Sequence, residues 1–322
     1  MILVTGCAGF IGSKVAERLL ESGEEVFGVD DLNDSYDVRL KEWRLNRLLD
    51  RKGFSFKRLD ISDEEEVLSL FKNKDFSAVI NLAARAGVRR SLKDPWVYLK
   101  TNELGNLNIL EGSRAFGVRK VVIASTSSVY GLNELPFSES AKADTPLSPY
   151  AASKRGAECW AFSYHYLYNL DITILRYFTV YGPAGRPDMS IFKFIRLIYE
   201  GKEIVIYGDG NQERDFTYVD DIAEGTIKAL KLEGFHRINL GSDRPVRLNY
   251  VIKLIEESLG KEAKKRFLPP HPADVPKTWA DITLARQILN WSPKIPIEEG
   301  IKRTIRWFQE NLDLALSIDL AD

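Results

Sequence analysis

Met1-Ile2-Leu3-Val4-Thr5-Gly6-Cys7-Ala8-Gly9-Phe10-Ile11-Gly12 opens the chain with an apolar run, breaks into three regularly spaced glycines and then turns amphipathic. A strand that ends in such a turn and feeds a helix lets backbone N–H groups and the helix N-terminus approach a pyrophosphate. The spacing GxxGxxG differs from the commoner GxGxxG, and a glycine triplet alone also suits a simple tight turn. Asp30 and Asp31 end the second expected strand roughly 20 residues on, where a carboxylate accepts hydrogen bonds from ribose hydroxyls and repels a 2′-phosphate. Together they favour NAD over NADP.

Outward from this stretch, short β-branched runs alternate with amphipathic segments. Residues 2–5, 25–29, 54–58, 78–81, 120–124 and 171–176 read as strands, and their nearly continuous apolar character suits a parallel sheet covered on both faces. Residues 11–22, 64–71, 95–116 and 149–169 carry helical periodicity and supply the crossovers. The expected fold class is α/β, a doubly wound parallel sheet (Rossmann) with a smaller C-terminal α/β lobe. After Tyr177 glycine and proline punctuate shorter elements, up to the link Pro269-Pro270-His271-Pro272, whereas Asp220–Gly241 reads as a helix and strand able to return to the first sheet. The expected division is therefore 1–176 plus about 220–241 for the dinucleotide domain, and 177–219 plus about 242–322 for the second lobe.

Bulk properties narrow the classes. In 322 residues, 45 Lys and Arg nearly cancel 46 Asp and Glu, so no net field favours nucleic acid or an anionic membrane. No apolar run of about 18 residues suggests a bilayer span, and the immediate first strand leaves no room for a signal peptide. Cys7 and Cys159 are far apart and lack metal-ligand spacing, and the three histidines are scattered, so neither a disulfide framework nor a metal site is expected. A cytoplasmic location fits.

The chemistry concentrates in Ser125-Thr126-Ser127-Ser128 and in Tyr150-Ala-Ala-Ser-Lys154. Tyr150 and Lys154 lie four residues apart on one helix face. Bringing a phenol from its reference value of about 10 towards neutrality takes roughly 4 kcal/mol of preferential phenolate stabilisation. A neighbouring ammonium and a positive nicotinamide supply it, making Tyr150 a general base for a hydroxyl proton as hydride leaves the same carbon. Any helix can carry Tyr-x-x-x-Lys by chance, but the hydroxyl cluster at the end of the fifth strand makes Thr126 the third member of a Thr/Tyr/Lys triad. At other strand ends, Asp60-Ile61 and Leu82-Ala83-Ala84 sit where open α/β sheets bind ligands.

With these residues in view, the chain resembles the extended short-chain dehydrogenase/reductases, and among them the UDP-glucuronate 4-epimerases. The resemblance spans essentially the whole length, through Ala84-Arg-Ala-Gly-Val-Arg89, Tyr177-Phe-Thr-Val-Tyr-Gly-Pro183, Gly185-Arg-Pro-Asp-Met189, Arg214-Asp-Phe-Thr-Tyr-Val-Asp-Asp221 and Ala273-Asp-Val-Pro276. It implies tightly bound NAD, oxidation at C4 of a UDP-sugar, and return of the same hydride to the other face of a transient 4-keto sugar. Phe10, Ile11, Asn33, Asn102 and Tyr177 are implied to join the cofactor site. For the substrate, the resemblance implies Ser127, Ser128, Thr179 and Arg186 around the uronate carboxylate, with Met189 nearby. It further implies Val205 and Tyr207 beside the uracil, and Arg89, Arg214 and Asp274 towards the diphosphate and ribose. Arg90 beside Arg89 is an equal candidate, and a salt bridge to Asp215 or Asp220 is the alternative for Arg214. His271 departs from the Arg or Gln that relatives carry three residues before the Asp at 274.

A 4-keto uronate is a β-keto acid and readily loses carbon dioxide, so an epimerase must hold its carboxylate as an anion, out of line with the carbonyl π system. Hydroxyl donors at 127, 128 and 179 do this. Related decarboxylases carry Glu at the position of Ser128, and 4,6-dehydratases an Asp-Glu pair at 127 and 128; this chain has neither acid. Asn replaces Thr179 in most neutral-sugar UDP-galactose 4-epimerases. The resemblance thus implies UDP-glucuronate 4-epimerase activity, with a UDP-galactose/UDP-glucose epimerase or a non-catalytic NAD-binding regulator as alternatives. It also implies a homodimer through the helices at 95–116 and 149–169, where Trp160, Phe162, Tyr164, Tyr166 and Tyr168 suit an interface and a core equally.

Overall fold

The computed structural model describes residues 1–271 and 274–320, so Pro272 of the proline link and Ala273 of the Ala273-Asp-Val-Pro276 motif lie outside the described residues. In chain order the strands are β1 (Ile2–Thr5), β2 (Val26–Asp30), β3 (Phe54–Arg58), β4 (Ala78–Asn81), β5 (Lys120–Thr126), β6 (Asp171–Tyr177), β7 (Thr179–Tyr181), β8 (Glu203–Tyr207), β9 (Glu213–Tyr218), β10 (Phe235–Leu240), β11 (Pro245–Arg247) and β12 (Lys264–Leu268). Seven of them form one sheet in the order β10-β6-β5-β4-β1-β2-β3, every pairing parallel. The fold class expected from the sequence is the one observed.

Alternation along the strands divides the core. Val4, Ile80, Val122 and Leu175 face the helices Phe10–Glu21 and Val219–Lys228 through Val15, Leu19, Ile222 and Ala223. Leu3, Val79, Val121, Ile123 and Ile174 face the opposite layer, with Phe71, Ile109, Leu110 and Ala161 packed over them. Burying both sides of β1, β4, β5 and β6 is why these segments read as nearly unbroken apolar runs, whereas the edge strand β3 is only partly buried. A third cluster, built on Ile191, Ile195, Ile206, Phe216, Ile252 and Phe308, forms the core of the C-terminal lobe. That lobe holds the parallel pair β8 and β12 and the three-stranded sheet β11-β9-β7.

Some boundaries differ from expectation. Strands β5 and β6 run on to Thr126 and Tyr177, because pairing in register continues through Ser125↔Arg176 and Thr126↔Tyr177. The segment expected as one helix from 95 to 116 is a single turn at Pro95–Tyr98, a wider π-helical turn at Leu99–Leu104, and a helix at Gly105–Ala115. The helix Val38–Leu49, capped by the Asp37 carboxylate, was not anticipated. The strand at Phe235–Leu240 does return to the main sheet, beside β6.

Among the described residues no helix is long and apolar enough to cross a membrane, and no group of three His, Cys, Asp or Glu side chains could hold a metal ion.

Candidate active site

The sheet order reverses between β1 and β4, and the glycine turn sits at that switch point. Thr5 fixes its geometry: the hydroxyl donates to Asn81 Oδ1 at 2.6 Å and accepts the N–H groups of Leu82 and Ala83, each at 3.1 Å. Gly6 has a φ of +66°, and a Cβ there would lie 2.8 Å from the Ala83 nitrogen; a Cβ on Gly12 would lie 2.0 Å from the Gly6 carbonyl oxygen. Only glycine fits either place. The turn therefore leaves backbone exposed as a cradle, and the residues present fit a dinucleotide pyrophosphate.

A cavity of 940 Å³ extends from this cradle along the strand ends into the C-terminal lobe. Its wall brings together Gly6, Gly9, Phe10, Ile11, Gly12, Asp30, Asp31, Asn33, Asp60, Ile61, Leu82, Ala83, Ala84, Tyr177 and the triad Thr126, Tyr150 and Lys154. Further along lie Arg89, Ser127, Ser128, Thr179, Arg186, Met189, Val205, Tyr207, Arg214 and Asp274. Asn102 alone among the expected site residues does not line it. Its Oδ1 accepts the Arg85 N–H at 2.8 Å, and its Nδ2 donates to the Arg85 carbonyl and to Ser153 Oγ, both at 2.9 Å. The π-helical turn directs the amide to the 84–88 loop, which it braces.

The two aspartates after β2 divide their work. Asp30 accepts the Ala8 N–H at 3.1 Å and the Leu32 N–H at 2.9 Å, so it ties the glycine turn to the end of β2. Burial raises its pKa, while Lys41 and those backbone donors act against the rise. Asp31 holds Asn33 through both backbone and side-chain N–H groups. Lys41, missed in the sequence because its helix was not foreseen, donates to the Asn33 carbonyl at 2.7 Å and to Asn33 Oδ1 at 2.9 Å. Tyr36 and Ser35 also line this end.

At the reacting wall, Ser148 caps the helix Pro149–Tyr168, which presents Tyr150 and Lys154 one turn apart. Lys154 is 5% exposed and its Nζ donates to the Ala124 carbonyl at 2.8 Å. Burial lowers its pKa to about 8, and the Glu158 carboxylate opposes that fall. Tyr150 lies edge-on to Tyr98, with ring centroids 6.1 Å apart. Burial raises its pKa, against which the Thr126 hydroxyl and the Arg186 charge both work. Thr126 itself accepts the Ser128 N–H at 3.1 Å and donates to Ser128 Oγ at 3.2 Å, fixing the turn that carries Ser127 and Ser128.

Arg186 lines the cavity beside these residues. Its guanidinium closes on Asp188 through Nε at 3.0 Å and Nη2 at 2.6 Å, and also reaches the Ala86 carbonyl. Two residues apart on one loop, the pair satisfies itself. Arg89 binds Asp274 at 2.5 Å and lies 4.0 Å over the Tyr207 ring, whereas Arg90 donates to the Ser35 carbonyl. Arg214 donates only to the carbonyls of Glu213 and Pro276, and among the described residues no salt bridge joins it to a carboxylate. The alternative of a pair with Asp215 is not what forms. Asp215 instead accepts the backbone N–H groups of Ser242, Asp243 and Ala280. Burial lowers the Arg214 pKa, the Asp274 carboxylate opposes that fall, and the nearby Arg89 charge adds to it.

A parallel sheet with a glycine cradle at its switch point and a Thr/Tyr/Lys wall beside it defines the short-chain, dinucleotide-dependent class of enzyme. The chain belongs to the NAD dependent epimerase/dehydratase family, whose pattern it matches over residues 2–241. It is 57% identical over 317 residues, covering 98% of each chain, to a UDP-glucuronate 4-epimerase of Thermodesulfobacterium geofontis. Its structure is similar, with a TM-score of 0.91 and 37% identity over 96% of this chain and 99% of the other, to the UDP-glucuronic acid 4-epimerase of Bacillus cereus in complex with UDP-glucuronic acid and NAD. A UDP-glucose 4-epimerase of Thermotoga maritima with UDP-glucose is similar at a TM-score of 0.89 and 35% identity, over 97% and 99% of the two chains.

Proposed function

We propose that this protein interconverts UDP-glucuronate and UDP-galacturonate with NAD as a resident cofactor. The observation that carries the reading is the meeting, on one cavity wall, of Thr126, Tyr150 and Lys154 with Ser127, Ser128 and Thr179, and with no carboxylate at 127 or 128. The glycine cradle, Asp31 and Asn33 hold the dinucleotide, which when bound supplies the two-electron acceptor and donor and a positive ring that favours phenolate. Tyr150 takes the proton from the C4 hydroxyl and returns it to the C4 oxygen of the epimer, and Thr126 donates to the same oxygen. Lys154 holds a positive charge beside them. Ser127, Ser128 and Thr179 keep the uronate carboxylate hydrogen-bonded as an anion, which opposes loss of carbon dioxide. Arg214 and Arg89 neutralise the diphosphate, with Tyr207 and Val205 against the base.

Separate incubations of the purified protein with UDP-glucuronate and with UDP-glucose test this, with the products resolved by ion-exchange chromatography. UDP-galacturonate from the first alone supports the reading; UDP-galactose from the second alone overturns it in favour of a neutral-sugar epimerase.

The proposed assembly is a homodimer joined through the helices at Pro95–Tyr98, Gly105–Ala115 and Pro149–Tyr168. Trp96, Trp160, Phe162 and Tyr166 on these helices are exposed, as are Leu99 and Leu104 on the π-helical turn between the first two, and exposed apolar side chains of this size suit an interface. Light scattering that gives a monomer mass would contradict it. We assign residues 1–176 plus about 220–241 to the dinucleotide domain and the rest to the substrate lobe. A reducing cytoplasm suits the free thiols of Cys7 and Cys159.

A further inference from the structure

Directly behind the reacting wall lies a buried ion pair that the chemistry above does not use. Glu158 and Arg176 are each 1% exposed. Glu158 Oε1 accepts Ser125 Oγ at 2.6 Å and Arg176 Nε at 2.9 Å, while its Oε2 accepts Arg176 Nη2 at 2.6 Å and Arg155 Nη1 at 3.3 Å. The Arg176 guanidinium also stacks 4.8 Å from the Tyr130 ring, whose hydroxyl donates to Asn239 Oδ1 at 2.7 Å. One carboxylate thus joins the Tyr150 helix to β5 and β6, and Arg176 extends the link to β10.

The placement is specific. Glu158 follows Lys154 by one helical turn, as Lys154 follows Tyr150, so all three share one face. Ser125 and Arg176 are register partners; Ser125 itself lines the cavity beside Thr126, and Arg176 immediately precedes the cavity residue Tyr177. Ser125 also sits between Ala124, whose carbonyl receives the Lys154 ammonium, and Thr126. Any slide of the helix along β5 would separate Tyr150 and Lys154 from Thr126, and the Glu158 clamp opposes that slide. A buried ion pair is a weak source of stability, since desolvation offsets much of its attraction, so stability alone is a poor reason for it.

We propose that Glu158, held by Arg176 and Ser125, is a positioning residue for the epimerase reaction, locking Thr126 against Tyr150 and Lys154. The proposal rests on the epimerase reading given above. In addition, the Glu158 carboxylate pulls Lys154 back towards its charged form against burial. Glu158 does not line the cavity and touches neither substrate nor cofactor.

The test uses the full chain loaded with NAD, with UDP-glucuronate as substrate. Parent activity on UDP-glucuronate establishes the reaction, so a failure there strikes the epimerase reading, whereas differences among variants bear on the clamp. For Glu158→Gln we expect kcat to fall ~100-fold, the scale of a misplacement of about 1 Å. KM should stay within about twofold, because substrate binding is untouched. Ser125→Ala, which removes one link and keeps both charges, should lower kcat about tenfold and keeps the proposal testable if Glu158→Gln does not fold. The double variant Glu158→Gln with Arg176→Met separates positioning from stability, because removing both charges restores the melting temperature. Its kcat should remain low. Folded Glu158→Gln or Ser125→Ala protein with kcat within about twofold of the parent overturns the proposal, as does recovery of kcat together with melting temperature in the double variant.

Discussion

Lys154 places its ammonium 2.8 Å from the Ala124 carbonyl, so the cation of the triad is anchored to the strand that carries Thr126. The helix and the strand end are thereby one unit at the reacting wall.

That unit makes Tyr150→Phe a clean experiment. The ring, its edge contact with Tyr98 and the cavity shape survive, and only the proton carrier is lost. Turnover of UDP-glucuronate should drop ~1,000-fold, within the range of general acid–base contributions, while UDP binding by calorimetry stays close to that of the parent. Retention of more than about a tenth of the activity would remove Tyr150 from the role of base.

Lys154→Met should inactivate the enzyme and stabilise the fold. Burial lowers the Lys154 pKa from 10.5 to about 8, so the folded state binds this proton more weakly than the unfolded chain does. The sign follows: the penalty is fully present below pH 8 and fades between pH 8 and 10.5. At pH 7 the variant should gain about 1–3 kcal/mol, after loss of the bond to Ala124 is set against the relief. Denaturant unfolding at pH 7 and pH 10 checks this, with a smaller gain expected at the higher value.

Ser128→Glu replaces a hydroxyl that shares hydrogen bonds with Thr126. An anion there repels the uronate carboxylate and weakens its retention in the 4-keto intermediate. Carbon dioxide and a UDP-keto-pentose should appear, followed by mass spectrometry and trapped carbonate. Product as pure as that of the parent would show that the hydroxyl at 128 does not guard the carboxylate.

Arg214→Ala should act on binding alone. The parent arginine lines the cavity and hydrogen-bonds only carbonyls among the described residues, so on the proposed reading its guanidinium is available to the UDP diphosphate. KM should rise at least tenfold, about 1.4 kcal/mol of lost contact. The melting-temperature gain on adding UDP should shrink in the same variant, while the ligand-free melting temperature stays close to that of the parent. An unchanged response to UDP would move the diphosphate site elsewhere.

Much of this site was legible because strand ends advertise themselves. Gly6, Asp31, Ala83 and Thr126 each follow or close an apolar run, and a parallel sheet brings such ends to one edge whatever the intervening sequence does. Tyr150 and Lys154 were legible by helical spacing. The bracing of the 84–88 loop by Asn102 was not, because a π-helical turn alters the periodicity that places side chains, and nothing in Leu99–Leu104 signals the change. Lys41 was missed with its helix, whose apolar residues Leu40, Leu45 and Leu48 are separated by several charged ones. The closure of Arg186 on Asp188 depends on loop conformation, for which residue type carries little information. Nothing in the sequence singles out Glu158; only the register of Ser125 against Arg176 reveals its surroundings.

The return of Phe235–Leu240 to the main sheet means that the backbone passes between the two lobes three times, near 178, 219 and 241. Neither lobe can be obtained by trimming the chain at one point. A fragment ending at 176 would leave β6 as an open edge and strip Tyr177 and its Thr226 partner from the wall.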